Sequence, residues 1–326
     1  MLKAVILAAG QGTRMKSKLP KVIHKVMGKC MVEHAITAAK QAGADQICVV
    51  VGHGADMVKR EITSDVTFVT QDRQLGTGHA VKCARDFIGR EGRTMILFGD
   101  TPLITGETLN RLVKAHEFEG NAITVLSAVI DNPAGYGRII RSLDGTFIKS
   151  VEHKDATQEE RMCNEVNSGM YVFDSAELYD ALDLITNDNA QGEYYLPDTL
   201  TIIKDKGLKV DAMIVDDPTE IEGVNSRVQL AHAEEVMKRR INNKWMEQGV
   251  TIINPDSTYI TPQAVIENDV VIYPDTFIMG NTVIHSDCVI GPFSYIKDAQ
   301  IESGTEVEPY SRIVGDRTYK QTGNEV

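Results

Sequence analysis

Between residues 4 and 21 the chain reads A-V-I-L-A-A-G-Q-G-T-R-M-K-S-K-L-P-K, a short apolar run that opens into two glycines and a cluster of cations. From Lys3 to Lys29 the charged side chains are Lys3, Arg14, Lys16, Lys18, Lys21, Lys25 and Lys29, and the first acid is Glu33. The whole chain carries a formal net charge of -12, so this cationic stretch stands out. Such a turn is suited to a polyanion. Glycine lets backbone N–H groups approach phosphate, and the cations neutralise what the amides cannot.

The spacing argues against the commonest phosphate loops. There is no G-x-x-x-x-G-K-[ST], and Met15 holds the third glycine position of G-x-G-x-x-G. What remains is L-A-A-G-x-G-T-R-M followed closely by L-P-K. Further along, Gln71-Asp-Arg-Gln74-Leu-Gly76-Thr77-Gly78-His79 sets two glutamines before a second glycine turn. Glutamine amides can pair with a pyrimidine edge, and Gly76 lets backbone lie against the ring. Asp100 follows the apolar run Met95–Phe98 and is freed by Gly99, a position suited to a hard cation such as Mg²⁺. Polar groups that a sugar needs occur in Gly135-Tyr136-Gly137-Arg138, in Val151-Glu152-His153-Lys154-Asp155 and in Asn167-Ser168-Gly169. Each of these segments alone is also an ordinary turn or hairpin signal. Asn225, in Glu222-Gly-Val-Asn225-Ser-Arg227, is placed by default as a helix cap.

Elements to position these residues are visible in the periodicity. Ala4–Ala8, Gln46–Val51, Thr67–Thr70 and Met95–Phe98 read as strands. Val32–Ala42, Met57–Glu61, Gly78–Phe87 and Glu107–Glu117 read as helices between and after them. The alternation predicts an α/β domain: a mostly parallel, Rossmann-like sheet with helices on both faces. Ligands of such sheets lie beyond the carboxyl ends of the strands, where Gly10 and Asp100 fall. Residues Arg227 to Gln248 contain neither Gly nor Pro, carry many charges and read as one helix.

Beyond that helix the period becomes six. Ile260, Ile266, Ile272, Ile278, Ile284, Ile290 and Ile296 recur without a slip, and the series restarts one residue early at Ile301, Val307 and Ile313. Four positions after the first six stand Ala264, Val270, Thr276, Thr282, Cys288 and Ser294, all small or β-branched. This pattern fits a parallel β-helix whose short faces each point one aliphatic residue at the axis. The domains read as 1-226, a linking helix 227-249, a β-helix 250-315 of about three coils, and a polar tail 316-326.

With 326 residues, 42% of them hydrophobic, the chain can build more than one core. Its pI near 5.2 argues against non-specific nucleic-acid binding. Cys30, Cys48, Cys83, Cys163 and Cys288 form no C-x-x-C and read as buried, reduced thiols. No apolar run reaches membrane-spanning length, so a cytoplasmic protein without membrane partners is expected.

As a set, L-P-K-V-I-H, Q-L-G-T-G-H-A, V-E-H-K-D-A, N-A-Q-G-E-Y-Y and E-G-V-N-S-R resemble the N-acetylglucosamine-1-phosphate uridylyltransferase half of a bacterial bifunctional family. That family ends the route to UDP-N-acetylglucosamine, a cell-wall precursor. The resemblance runs from Leu2 to about Arg227 and on into the first hexapeptide coils, which in this family form a left-handed β-helix. It implies that Leu7, Ala8, Ala9 and Gly10 cradle the nucleotide, with Arg14 and Lys21 acting on its phosphates. It places Gln71, Gly76 and Thr77 on uracil and ribose, and Phe98, Gly99, Gly137, Glu152 and Asn167 on the amino sugar. Asp100 and Asn225 are the implied Mg²⁺ ligands. UTP and N-acetylglucosamine 1-phosphate are the implied substrates, and a homotrimer through the β-helix is the implied assembly. The family's later coils bind acetyl-CoA and glucosamine 1-phosphate; ending after about three coils, this chain is expected to lack acetyltransferase activity.

The chemistry so implied is attack of a sugar phosphate oxygen on the α-phosphorus of UTP. That oxygen is already ionised near neutral pH, so no general base is needed, and His24, His53, His79 and His153 read as packing or capping residues. Two alternatives stay open: a uridylyl- or thymidylyltransferase for another sugar 1-phosphate, and a non-catalytic scaffold that binds sugar nucleotides. A scaffold is expected to lose Arg14, Lys21 or Asp100, and all three are present.

Overall fold

A computed structural model describes residues 1–189, 191–315 and the backbone of 318–319. The chain packs as two compact units, Met1–His24 with Cys30–Arg227, and Lys25–Lys29 with Val228–Val326.

The first unit is built on a nine-stranded sheet. Its main path runs Val210–Ile214, Ile123–Val129, Glu165–Asp174, Arg93–Phe98, Leu2–Ala8, Gln46–Val51, Thr67–Thr70. All neighbours on this path are parallel except those of Glu165–Asp174, which runs antiparallel between Arg93–Phe98 and Ile123–Val129. Two more strands, Gly137–Arg141 and Phe147–Val151, form an antiparallel extension beside Glu165–Asp174. Strand alternation divides the core between the two faces: Leu2, Ala4, Ile6 and Ala8 pack into one cluster, and Val5, Leu7 and Ala9 into the other. Helices Met31–Gln41 and Gly106–Glu119 contribute to the first cluster, and Thr77–Cys83 to the second.

The predicted helix over Gly78–Phe87 is in fact two, Thr77–Cys83 and Arg85–Ile88, separated at Ala84 with φ -90° and ψ 11°. Alanine gives no sequence signal for such a break. The five cysteines are all free; Cys30, Cys48 and Cys288 are buried, whereas Cys83 and Cys163 are half-buried, against the expectation for those two.

In the second unit, the helix Arg227–Glu247 is followed by short strands stacked into three parallel sheets of four strands each. Paired residues are 18 apart in sequence at Tyr259↔Phe277 and Val265↔Val283, then 17 apart at Tyr295↔Arg312, which is the early restart seen in the repeat. Ile260, Ile272, Ile278, Ile284, Ile290 and Ile296 are wholly buried, and so are Val270, Thr276, Thr282 and Cys288. Each buried isoleucine contributes about 1.5–3 kcal/mol, and backbone hydrogen bonds between successive coils, such as Tyr259 N–H to the Thr276 carbonyl at 2.9 Å, add to it in holding the short strands together. Corner residues Asp269, Asp275, Asp287 and Asp298 take positive φ, which aspartate tolerates better than most residues.

Four strands per face make the helix longer than the three coils read from the repeat. Thr251–Ile252 precedes the first counted isoleucine, and Thr318–Tyr319 pairs with Gln300–Ile301 inside the segment read as a polar tail. The rest of that tail lies outside the described residues. Lys25–Lys29, read with the first domain, packs with the second unit: the Met27 N–H donates to Glu234 Oε2 at 2.7 Å.

Candidate functional site

At the carboxyl end of Leu2–Ala8 the chain turns through Gly10 and Gly12 into a single 3-10 turn, Thr13–Met15. Gly12 has φ +63°, and a Cβ there would come within 2.5 Å of Lys21 Cβ. The glycine thus lets the Lys21 backbone pack against the turn. From there the Lys21 ammonium donates to an Asp100 carboxylate oxygen and, at 2.7 Å, to Asn225 Oδ1. Asp100 leaves the end of the neighbouring strand Arg93–Phe98, and its carbonyl accepts the Val224 N–H at 2.8 Å, which fixes Asn225 beside it. Residues separated by up to 204 positions therefore meet at one cation.

Around this point lies a cavity of about 300 Å³ lined by Leu7, Ala8, Ala9, Gly10, Lys21, Gln71, Gly76, Thr77, Phe98 and Asp100, together with Val22, Gln74, Ala80 and Glu193. A second cavity of about 270 Å³ shares Thr77, Phe98 and Glu193 with it. Gly137, Glu152 and Asn167 line this second part, with Tyr136, Ser168, Tyr171, Gln191 and Tyr195. Two lobes of one cleft result, one beneath the glycine turn and one beside the antiparallel extension.

Gln71 as a whole is only 3% exposed, and its Nε2 donates to the Gly76 carbonyl at 3.2 Å. Gly76 has φ +106°, and a Cβ there would lie 2.5 Å from the Tyr194 carbonyl oxygen. That close approach is held by two backbone bonds of 2.8 Å, Gly78 N–H to Tyr194 O and Tyr194 N–H to Leu75 O. In the second lobe Asn167 is pinned at both ends of its amide: Nδ2 donates to Ser150 Oγ and Tyr171 Oη, and Oδ1 accepts the Gly169 N–H. Burial, reinforced by the Asp155 and Asp198 charges, holds the Glu152 carboxyl above the usual carboxylate range. Burial likewise pushes the Tyr136 phenol up.

Three of the expected site residues, Arg14, Gly99 and Asn225, line neither lobe, although Asn225 is held beside Asp100 through Lys21. Arg14 sits on the 3-10 turn, exposed, and lines neither lobe. Gly99 faces packing atoms, with Val22 and Val32 methyls 3.3 Å from where its Cβ would be, so its small size serves packing and not the cleft wall. His24, His53, His79 and His153 also line neither lobe. Sequence reading missed Glu193, which touches both lobes, and Gln191 and Tyr195 beside it. The clustered Gln-Gly-Glu-Tyr-Tyr after Asn189 was the available signal, but nothing local told which side chains face a ligand.

Asp100 and Asn225 offer one carboxylate and one amide oxygen, both hard donors, and the chain already seats a cation between them. The pair therefore fits a divalent ion that keeps further ligands from water or phosphate. Among the described residues no group of three or more His, Cys, Asp or Glu could hold a metal by itself.

A glycine turn at the strand ends of a mostly parallel sheet, with Lys21 joining the Asp100 and Asn225 oxygens beside it, fits the nucleotidyltransferase class. Residues 4–160 match the MobA-like NTP transferase domain, and residues 263–298 match six bacterial transferase hexapeptide repeats. The chain is 56% identical over 306 residues to the bifunctional protein GlmU of Caldanaerobacter subterraneus subsp. tengcongensis, covering 94% of this chain and 67% of that protein. It is 50% identical over 318 residues to the bifunctional protein GlmU of Halalkalibacterium halodurans, covering 96% and 70%. The match to the same protein of Clostridioides difficile is 52% over 306 residues, covering 94% and 67%. The chain belongs to the family of the bifunctional GlmU proteins and is a sugar-1-phosphate nucleotidyltransferase.

Proposed function

We propose that the chain transfers UMP from UTP to N-acetylglucosamine 1-phosphate, giving UDP-N-acetylglucosamine and pyrophosphate, with Mg²⁺ as the divalent ion. The observation that supports it most is the two-lobed cleft, which puts the glycine turn, Lys21 and Asp100 in one lobe and Glu152 and Asn167 in the other. The nucleotide occupies the first lobe under Leu7, Ala8, Ala9 and Gly10, with Gln71, Gly76 and Thr77 at the base and ribose. The amino sugar occupies the second, against Phe98, Gly137, Glu152 and Asn167.

In the reaction a phosphate oxygen of the sugar phosphate forms a bond to the α-phosphorus of UTP as the bond to pyrophosphate breaks. The nucleophile is already ionised, so the obstacle is repulsion between two anions. Lys21 and the loop amides stabilise the charge that gathers on the α-phosphate and the leaving group, and Arg14 is the second cation of the same turn. Mg²⁺ held by Asp100 and Asn225 supplies Lewis-acid charge neutralisation at the phosphates when bound. Glu152, on this reading, accepts hydrogen bonds from the sugar.

Assembly as a homotrimer through the β-helix and a cytoplasmic location belong to the same proposal; among the described residues no helix is long and apolar enough to cross a membrane. The test is turnover with UTP, Mg²⁺ and N-acetylglucosamine 1-phosphate against glucose 1-phosphate and dTTP. Glucosamine 1-phosphate with acetyl-CoA is offered in parallel to measure acetyl transfer. A preference for another sugar phosphate, or binding without pyrophosphate release, refutes the reading.

A further inference from the structure

We infer that His79 is a positioning residue for base recognition: its imidazole holds the Gln71 amide in the one orientation that accepts a hydrogen bond from the N3–H of uracil. The inference rests on the uridylyl reading above and adds the group that sets base choice within it.

The Gly76 carbonyl can only accept. Gln71 Nε2 lies 3.2 Å from it, so the amide nitrogen must face that oxygen. The same Nε2 lies 3.0 Å from His79 Nδ1. An N–H on Nδ1 would point at another N–H, so Nδ1 presents its lone pair and the neutral ring carries its hydrogen on Nε2. Both hydrogens of the Gln71 amide nitrogen are then committed, one to Gly76 and one to His79.

What remains for a ligand is Gln71 Oε1, an acceptor. Gln71 lines the nucleotide lobe although only 3% of it is exposed, so water cannot easily stabilise a rotated amide. Uracil offers a donor at N3 and cytosine an acceptor. A fixed Oε1 therefore pairs with the first and repels the second, and a site built to pair with a donor rejects an analogue lacking it. His79 lines neither lobe of the cleft. It borders a separate cavity of about 410 Å³ together with Leu75, Lys82, Cys83 and Tyr194. This is why a reading of His79 as a packing or capping residue missed its use: Gln71 and His79 are eight residues apart, across a turn and into a helix.

The test is steady-state turnover of His79→Ala and His79→Asn with UTP and with CTP, N-acetylglucosamine 1-phosphate being the acceptor. In His79→Ala the loss of one of two restraining bonds should raise KM for UTP about five- to tenfold and lower the UTP-to-CTP preference by a similar factor. The KM for the sugar phosphate should be unchanged. His79→Asn can set Oδ1 where Nδ1 stood and should restore most of the preference. Unchanged UTP KM and base preference in His79→Ala, or failure of His79→Asn to improve on it, overturns the inference. Should His79→Ala not fold, the tautomer is read directly by nitrogen-15 NMR of the unsubstituted protein saturated with UDP. Hydrogen on His79 Nε2 is expected there, and hydrogen on Nδ1 refutes the proposal. A chain that shows no preference for UTP before any substitution refutes the uridylyl reading itself, so the two failures are separable.

Discussion

Lys21→Met should move metal binding and turnover in opposite directions. Lys21 donates to Asp100 and, at 2.7 Å, to Asn225 Oδ1, and the paired Lys21 and Asp100 side chains are only 13% and 17% exposed. These two oxygens are also the proposed metal ligands, so ammonium and metal compete for one place. A unit charge and a divalent ion about 4 Å apart interact by about 8 kcal/mol at an effective dielectric constant of about 20. Part of that repulsion is relieved when the lysine swings away, which brings the expected gain in Mn²⁺ affinity of the nucleotide-free chain to about ten- to hundredfold. Turnover, in contrast, loses a cation at the transition state, worth about 3–4 kcal/mol or roughly a hundred- to thousandfold in rate. Methionine keeps most of the side chain's length and packing, which separates charge from shape. The assay is Mn²⁺ titration followed by electron paramagnetic resonance of the free ion, with pyrophosphate release measured on the same samples. Mn²⁺ affinity that is unchanged or weaker in Lys21→Met refutes the shared-site argument.

Four further outcomes follow from particular contacts. Burial holds the Glu152 carboxyl above its ordinary range, so its contribution to stability is full below the unfolded value near 4.3 and is lost as pH rises through the folded one. Glu152→Gln should therefore melt higher than the unsubstituted chain at pH 7 while KM for the sugar phosphate rises about tenfold with one charged hydrogen bond lost; a lower melting temperature at pH 7 contradicts the reading. Gly76→Ala drives a Cβ to 2.5 Å from the Tyr194 carbonyl at φ +106°, and should destabilise by about 1–3 kcal/mol and weaken UTP binding, measured by calorimetry against normal sugar-phosphate binding. His116 is held below its ordinary range by burial, against an opposing pull from Asp174. Its stabilising effect is thus full above about pH 6.5 and falls away on acidification, and His116→Gln should flatten the melting-temperature slope between pH 7 and pH 5. Ile278→Ala removes a wholly buried axial side chain and should cost the second unit about 2–5 kcal/mol by denaturant titration.

Much of the scaffold was legible because local chemistry and fold agreed. Gln46–Val51 and Thr67–Thr70 are strands with the bounds read from their apolar and β-branched runs. The isoleucine period survived intact because each residue in it meets the same axial environment on every face. Its count of coils was short because Thr251–Ile252 and the strand at 318–319 stand outside the run of isoleucines. Within the cleft, Gly10, Gln71, Gly76, Thr77 and Asp100 were readable as turn and strand-end residues. Glu193 and Tyr195 were not, since an acid and a tyrosine in a loop have no period to show where they point.

By itself, the order of residues determined which chemistry is available: a cationic glycine turn, an acid after a buried strand, amides before a second glycine turn, and a hexad repeat. Tertiary structure alone decided which of these groups share a site. It put Lys21 between Asp100 and Asn225, turned Gly99 to packing, left Arg14 off the cleft wall and set His79 behind Gln71. The physical reason is that strand pairing and loop ties join residues dozens to hundreds of positions apart, and side-chain direction at a loop depends on partners that no local pattern encodes.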